Sequence, residues 1–247
     1  MKIFARGLLT IFFCLSVLAA ASLAQAQPFP EILVDNQGVW QRVPYHIYVP
    51  PVPAGVKVPV LVCVGGLPSG PDECTGPQWR NFSNRNRVAI LGVGFTFVPE
   101  DWPAKTSYQY AQAWSGKALL KILDIVGKKN PALDAQKLYM FGISAGAQFC
   151  LRFAQMRPDL VRAVAAHASG GYDYPKGYIP TRFLITVGEL DNQEIKRLDM
   201  AREFVELCRQ QGIDVRFEVI PGLTHRQTQK QDSMSRQFFF HTVKQGQ

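Results

Sequence analysis

Leu138-Tyr-Met-Phe-Gly-Ile-Ser-Ala-Gly-Ala147 is the stretch on which the reading of this chain turns. Its first half is a short apolar run that suits a buried strand. Gly142-Ile143-Ser144-Ala145-Gly146 follows, and the residues from there to about Met156 favour helix. A G-x-S-x-G pattern at a strand-to-helix junction puts the serine at the tip of a strained turn, with its hydroxyl clear of the sheet. Glycines on either side leave room where backbone passes backbone. The N-terminus of the following helix presents N–H groups to any negative charge that develops there. Ser144 is therefore a candidate nucleophile, and the Ala145 N–H a candidate oxyanion donor.

Outward from this turn the chain alternates strand and helix. Val58-Pro-Val-Leu-Val-Cys-Val64 and Val88-Ala-Ile-Leu-Gly-Val-Gly94 are apolar on both faces, as strands covered on both sides are. Val161 to Ala166, Phe183 to Val187 and Val215 to Ile220 predict three more strands, and 39–49 another, which Pro44 argues to be at an edge. The spacing of Ala111, Trp114, Ala118, Ile122 and Ile125 predicts a helix over 107–127. Others are expected over 194–211, closed by Gly212 as a C′ glycine, and over 230–244. This order implies an α/β fold: a mostly parallel central sheet with helices on both faces. In such sheets functional residues gather in loops at the carboxyl ends of the strands.

A serine hydroxyl is a weak nucleophile at neutral pH and needs a base. Of the four histidines, His225 follows the last predicted strand, on a loop that can reach back to Ser144. His46 falls in the predicted edge strand, and His241 on the last helix. His167 ends the 161–166 strand and is a candidate for the pocket wall. The base needs an acid to fix its tautomer. Val187-Gly-Glu-Leu-Asp191 offers Asp191, with Glu189 and Asp173 as alternatives. Trp102, in a Pro-bounded loop, is a candidate substrate contact, whereas Trp79 and Trp114 read better as packing residues.

The order Ser144, Asp191, His225 is that of a single fold. With the Gly65-Gly66 loop and the Gly188 to Asp191 turn, the sequence resembles the α/β-hydrolase family over nearly all of 27–247. Its Tyr45-His-Ile-Tyr-Val-Pro50 opening is similar to that of small secreted esterases of the feruloyl-esterase, polyhydroxybutyrate-depolymerase and dienelactone-hydrolase kind. The resemblance implies a serine esterase acting through Ser144, His225 and Asp191, with no large cap domain. Many relatives have His-Gly in the early oxyanion loop, where this chain has Gly65-Gly66-Leu67. Because the loop works through backbone N–H groups, Leu67 is placed as the second donor beside Ala145.

Residues 1–26 read as a signal peptide: Lys2 and Arg6 precede an apolar run, and Ala24-Gln25-Ala26 fits a cleavage site. The expected product, 27–247, is a single domain that is secreted or periplasmic and keeps no membrane anchor. The net charge of +8 comes from scattered basic residues, with no basic run of the nucleic-acid-binding kind. Cys63, Cys74, Cys150 and Cys208 allow three complete disulfide pairings, or buried thiols. No nucleotide fingerprint and no metal-ligand spacing is present, so no cofactor and no metal are expected. Two other functions share these residues: a peptidase of the prolyl-oligopeptidase type, and a hydrolase fold kept only for binding.

Overall fold

A computed structural model describes residues 29–100, 104–192 and 195–245. Among these the chain forms, in order, β1 (Glu31–Asn36), β2 (Val39–Tyr48), β3 (Val58–Val64), α1 (Pro77–Asn86), β4 (Ala89–Val93), α2 (Ser115–Lys129), β5 (Leu133–Ile143), α3 (Ala145–Met156), β6 (Val161–His167), β7 (Arg182–Gly188), α4 (Arg197–Gln210), β8 (Val215–Ile220) and α5 (Gln229–Gln245). The strands make one eight-stranded sheet in the order β1-β2-β4-β3-β5-β6-β7-β8. Pairing is antiparallel for β1 with β2 and β2 with β4, and parallel from β4 to β8.

The apolar runs are buried on both sides because the sheet carries helices on both. Along β3, Val60, Val62 and Val64 face a core shared with α2, α3 and α4, through residues such as Leu119, Phe149 and Phe204. Leu61 and Cys63 face the opposite layer, with Trp79 and Phe82 of α1 and Phe239 and Val243 of α5. The period of two along a strand divides one apolar run between two cores. Helix α3 runs behind the sheet's centre and is buried along most of its length, including Phe149, Leu151 and Phe153. The 168–181 connection from β6 to β7 contains no helix or strand, and no described segment forms a separate cap.

Three elements differ from the sequence reading. Strand β2 is not at the edge, because β1 covers it. Its first half pairs with β1 up to Pro44, and its second half with β4 from Tyr45 onward. Pro44, which has no N–H, sits where the strand changes partners. Helix α1 has few apolar residues, but Pro77 opens it and Trp79 and Phe82 bury one face. The helix expected from 107 starts at Ser115 instead. Residues 105–114 form turns held by bonds from Trp114 Nε1 to the Thr106 carbonyl (2.8 Å) and from Ser115 Oγ to the Tyr108 carbonyl (2.6 Å).

Candidate active site

Ser144 stands between β5 and α3 with φ 53° and ψ −115°, a conformation that L-residues rarely adopt. The flanking glycines make it possible. A Cβ on Gly142 would lie 2.5 Å from the Gly146 carbonyl oxygen, and one on Gly146 would lie 2.2 Å from that of Val64. Both obstacles are backbone, so no side-chain movement could make room. The Ser144 N–H donates to the His167 carbonyl at the end of β6 (2.9 Å), which ties the turn to the next strand.

The loops after β7 and β8 meet this turn. A Cβ on Gly188 would lie 2.1 Å from the Leu223 carbonyl oxygen, so the two loops touch backbone to backbone. The Leu190 N–H also donates to that carbonyl (2.9 Å). This contact brings His225 Nε2 to 2.9 Å from Ser144 Oγ, and His225 Nδ1 to 2.8 Å from Asp191 Oδ2. The Asp191 side chain is 2% exposed and that of His225 is 34% exposed, so the acid is sheltered while the base faces solvent. A carboxylate can only accept, so Nδ1 carries the proton and Nε2 is left to accept from the serine hydroxyl. The chain of bonds is suited to removing a proton from Ser144.

The alternative acids lie elsewhere. Glu189 Oε2 accepts from the Gly222 N–H (2.9 Å) and so braces the histidine loop. Asp173 pairs with Arg152 (2.9 Å). Ala145 is the first residue of α3, where the amides have no acceptor within the helix. On the other side, a Cβ on Gly66 would lie 3.5 Å from Ser144 Cβ, which puts the Gly65-Gly66-Leu67 loop against the serine.

Solved structures with the same architecture include an S-formylglutathione hydrolase from Agrobacterium tumefaciens (13% identity, TM-score 0.66, covering 90% of this chain and 98% of that one). A poly(3-hydroxybutyrate) depolymerase from Bordetella parapertussis has 21% identity and a TM-score of 0.54, covering 86% and 87%. A CE1 ferulic acid esterase from Anaeromyces mucronatus has 16% identity and a TM-score of 0.61, covering 87% and 88%. The chain has the α/β-hydrolase fold. No family model and no curated protein matches the sequence.

Against this α/β-hydrolase frame one expectation is corrected. His167 has no exposed surface and cannot line a pocket. Its ring lies within a closed circuit of hydrogen bonds. Gln231 Nε2 donates to Thr186 Oγ1 (2.8 Å), and Thr186 Oγ1 can then donate to His167 Nδ1 (2.7 Å). His167 Nε2 donates to Ser235 Oγ (2.6 Å), which donates to the Gln231 carbonyl (3.0 Å). The circuit is complete with a neutral imidazole, and burial pushes the His167 pKa down to about 3. Trp79 and Trp114 are buried, as their packing reading requires, while Trp102 lies outside the described residues.

Sequence reasoning missed two side chains near the site. Arg197, at the start of α4, donates to the second oxygen of Asp191 (3.0 Å). Tyr108 donates to carbonyls of the Gly65-Gly66 loop. No motif marks either residue. Cys63, Cys74, Cys150 and Cys208 are buried thiols, and no described group of His, Cys, Asp and Glu could hold a metal ion. No helix among the described residues is long and apolar enough to cross a membrane.

Proposed function

We propose that this protein is a serine hydrolase that cleaves carboxylic esters through an acyl-enzyme. The observation that carries this reading is the hydrogen-bonded chain Ser144–His225–Asp191, set on a strained strand-to-helix turn. Ser144 Oγ attacks the ester carbonyl as its proton passes to His225 Nε2. The N–H groups of Ala145 and Leu67 stabilise the oxyanion. His225 then gives the proton to the departing alcohol, and water, activated by the same nitrogen, releases the acid. Asp191 stays ionised throughout and holds the imidazolium. The hydrolase, depolymerase and esterase names of the similar structures support ester hydrolysis.

The substrate is a small or polymer-derived ester, and the signal-like residues 1–26 support a secreted or periplasmic enzyme. Turnover of a panel of chromogenic esters, with Ser144→Ala as the blank, tests the chemistry. The variant is expected to keep its fold, lose turnover and escape labelling by a fluorophosphonate. Undiminished turnover in that variant would sink the proposal. Faster cleavage of dipeptide amides than of esters would make the protein a peptidase. Export is tested by N-terminal sequencing of the secreted or periplasmic product, which should begin at Gln27.

A further inference from the structure

We propose that Tyr108 is a positioning residue for the oxyanion hole, holding the peptide unit whose N–H belongs to Leu67. This rests on the ester-hydrolase reading above, and adds to it a residue that touches neither substrate nor nucleophile.

The Tyr108 ring is fully buried. It stacks on Phe95 with ring centroids 5.2 Å apart and planes 20° from parallel. A residue needed only to fill this space would serve as phenylalanine, since a buried hydroxyl costs free energy unless it finds a partner. The Tyr108 hydroxyl finds its partners in the loop beside Ser144. It donates to the Gly66 carbonyl at 2.9 Å and lies 3.1 Å from that of Gly65. Its own backbone is fixed in turn, because Ser115 Oγ donates to the Tyr108 carbonyl. The next carbonyl, that of Gln109, accepts from Arg152 at 3.0 Å.

The Gly66–Leu67 peptide is trans, so its carbonyl and N–H point in opposite directions across one rigid plane. Fixing the Gly66 carbonyl toward Tyr108 therefore fixes the Leu67 N–H to point away from it. Gly66 already lies against Ser144, since a Cβ there would come within 3.5 Å of the serine Cβ. The Gly65 N–H is taken by Ser69 Oγ (3.1 Å), which donates onward to the Val93 carbonyl (3.2 Å). Ser69 thus anchors the loop to β4, and Tyr108 anchors it to the core in front of α2. Glycines would otherwise let this peptide rotate. An oxyanion donor acts through its aim, and one that must reorient during the reaction loses most of its benefit.

The test uses the full-length protein and the variant Tyr108→Phe, which keeps the ring and removes one oxygen. Active serine is titrated with a fluorophosphonate. We then compare kcat and KM for a chromogenic ester, the inhibition constant of a trifluoromethyl ketone that forms a tetrahedral adduct, and the urea unfolding curve. Removal of a whole oxyanion donor costs on the order of 100- to 1,000-fold in kcat, so a loosened donor should cost about tenfold or more. The expected result is that loss in kcat, a matching rise in the ketone inhibition constant, and a KM within about twofold of the wild type. Ser69→Ala should produce a smaller change of the same kind, which keeps the proposal testable if Tyr108→Phe folds poorly. Wild-type kcat and ketone affinity per titrated serine in both variants would overturn the role of Tyr108 while leaving the esterase reading intact. A wild-type protein that neither turns over esters nor labels would overturn both.

Discussion

Ser144 is held in a conformation that costs about 1–3 kcal/mol, and the surrounding backbone enforces it. Of the two glycines flanking Ser144, Gly146 is the tighter, so Gly146→Ala should lower unfolding stability by about 3 kcal/mol or more, as read by urea denaturation, and should abolish ester turnover. A mild effect on both would mean that the turn has more freedom than this packing allows. Arg197 is a second sensitive residue. Among the described residues, Arg197→Ala leaves the buried Asp191 carboxylate with the His225 Nδ1–H as its remaining side-chain donor and no paired cation, and should cost about 2 kcal/mol in stability and about tenfold in kcat. The meeting of Ser144, Asp191 and His225 was legible because each lies in a local pattern: a turn motif, or a short loop after an apolar run. Arg197 and Tyr108 were not, since their partners are fixed by how loops fold back and not by spacing along the chain. His167 was misplaced for a related reason. A strand-end position is visible in sequence, but the side of the sheet on which Thr186, Gln231 and Ser235 meet the ring is not.

Helix α5 is clamped to β6 and β7 by the His167 circuit, and this has a pH signature. The folded protein refuses a proton at His167 until about pH 3, whereas the unfolded chain accepts it near the ordinary 6.5. The stabilisation is whole above pH 6.5 and is lost as pH falls toward 3, by about 1.4 kcal/mol per unit. Glu73, in the loop before α1, works in the opposite sense. Burial, with Asp232 and Asp72 adding repulsion, raises its pKa from 4.5 to about 7, so its contribution is lost as pH rises from 4.5 to 7. Between pH 4.5 and 6.5 the two slopes oppose each other. Glu73→Gln should therefore expose a steeper acid loss of stability, and His167→Gln should remove that loss. Urea midpoints taken from pH 4 to 8 check both, and parallel curves for wild type and variants would contradict the assignment. At this scale the strands from β3 onward and the later helices were readable from apolar runs. Helix α1 was hidden by its polar composition, and α2 was read too early because residues 107–114 are buried at helix-like spacing while their hydrogen bonds make turns.

The sheet brings together residues that are far apart along the chain. Ser144 follows β5, Asp191 follows β7 and His225 follows β8, so the serine and its base are 81 positions apart. Parallel pairing must run from β5 through β6 and β7 to β8 before they can touch, and such non-local closure is slow. Refolding from urea should therefore restore ester turnover no earlier than the slowest change in tryptophan fluorescence. Turnover that ran ahead of that change would show the site forming on a partial sheet. The parallel sheet order was legible in outline from the alternation of elements. The β1–β2 hairpin at its far edge was not, because Glu31–Asn36 is short and partly exposed. The late meeting of β5 and β8 also has a consequence for how the molecule can be counted. In the proposed mechanism, a chain halted midway, or cut between Asp191 and His225 and released, holds Ser144 without the histidine that would take its proton. Under the proposed chemistry each serine that a fluorophosphonate labels certifies one finished molecule, and titration of that serine becomes a census of intact copies in a mixed preparation.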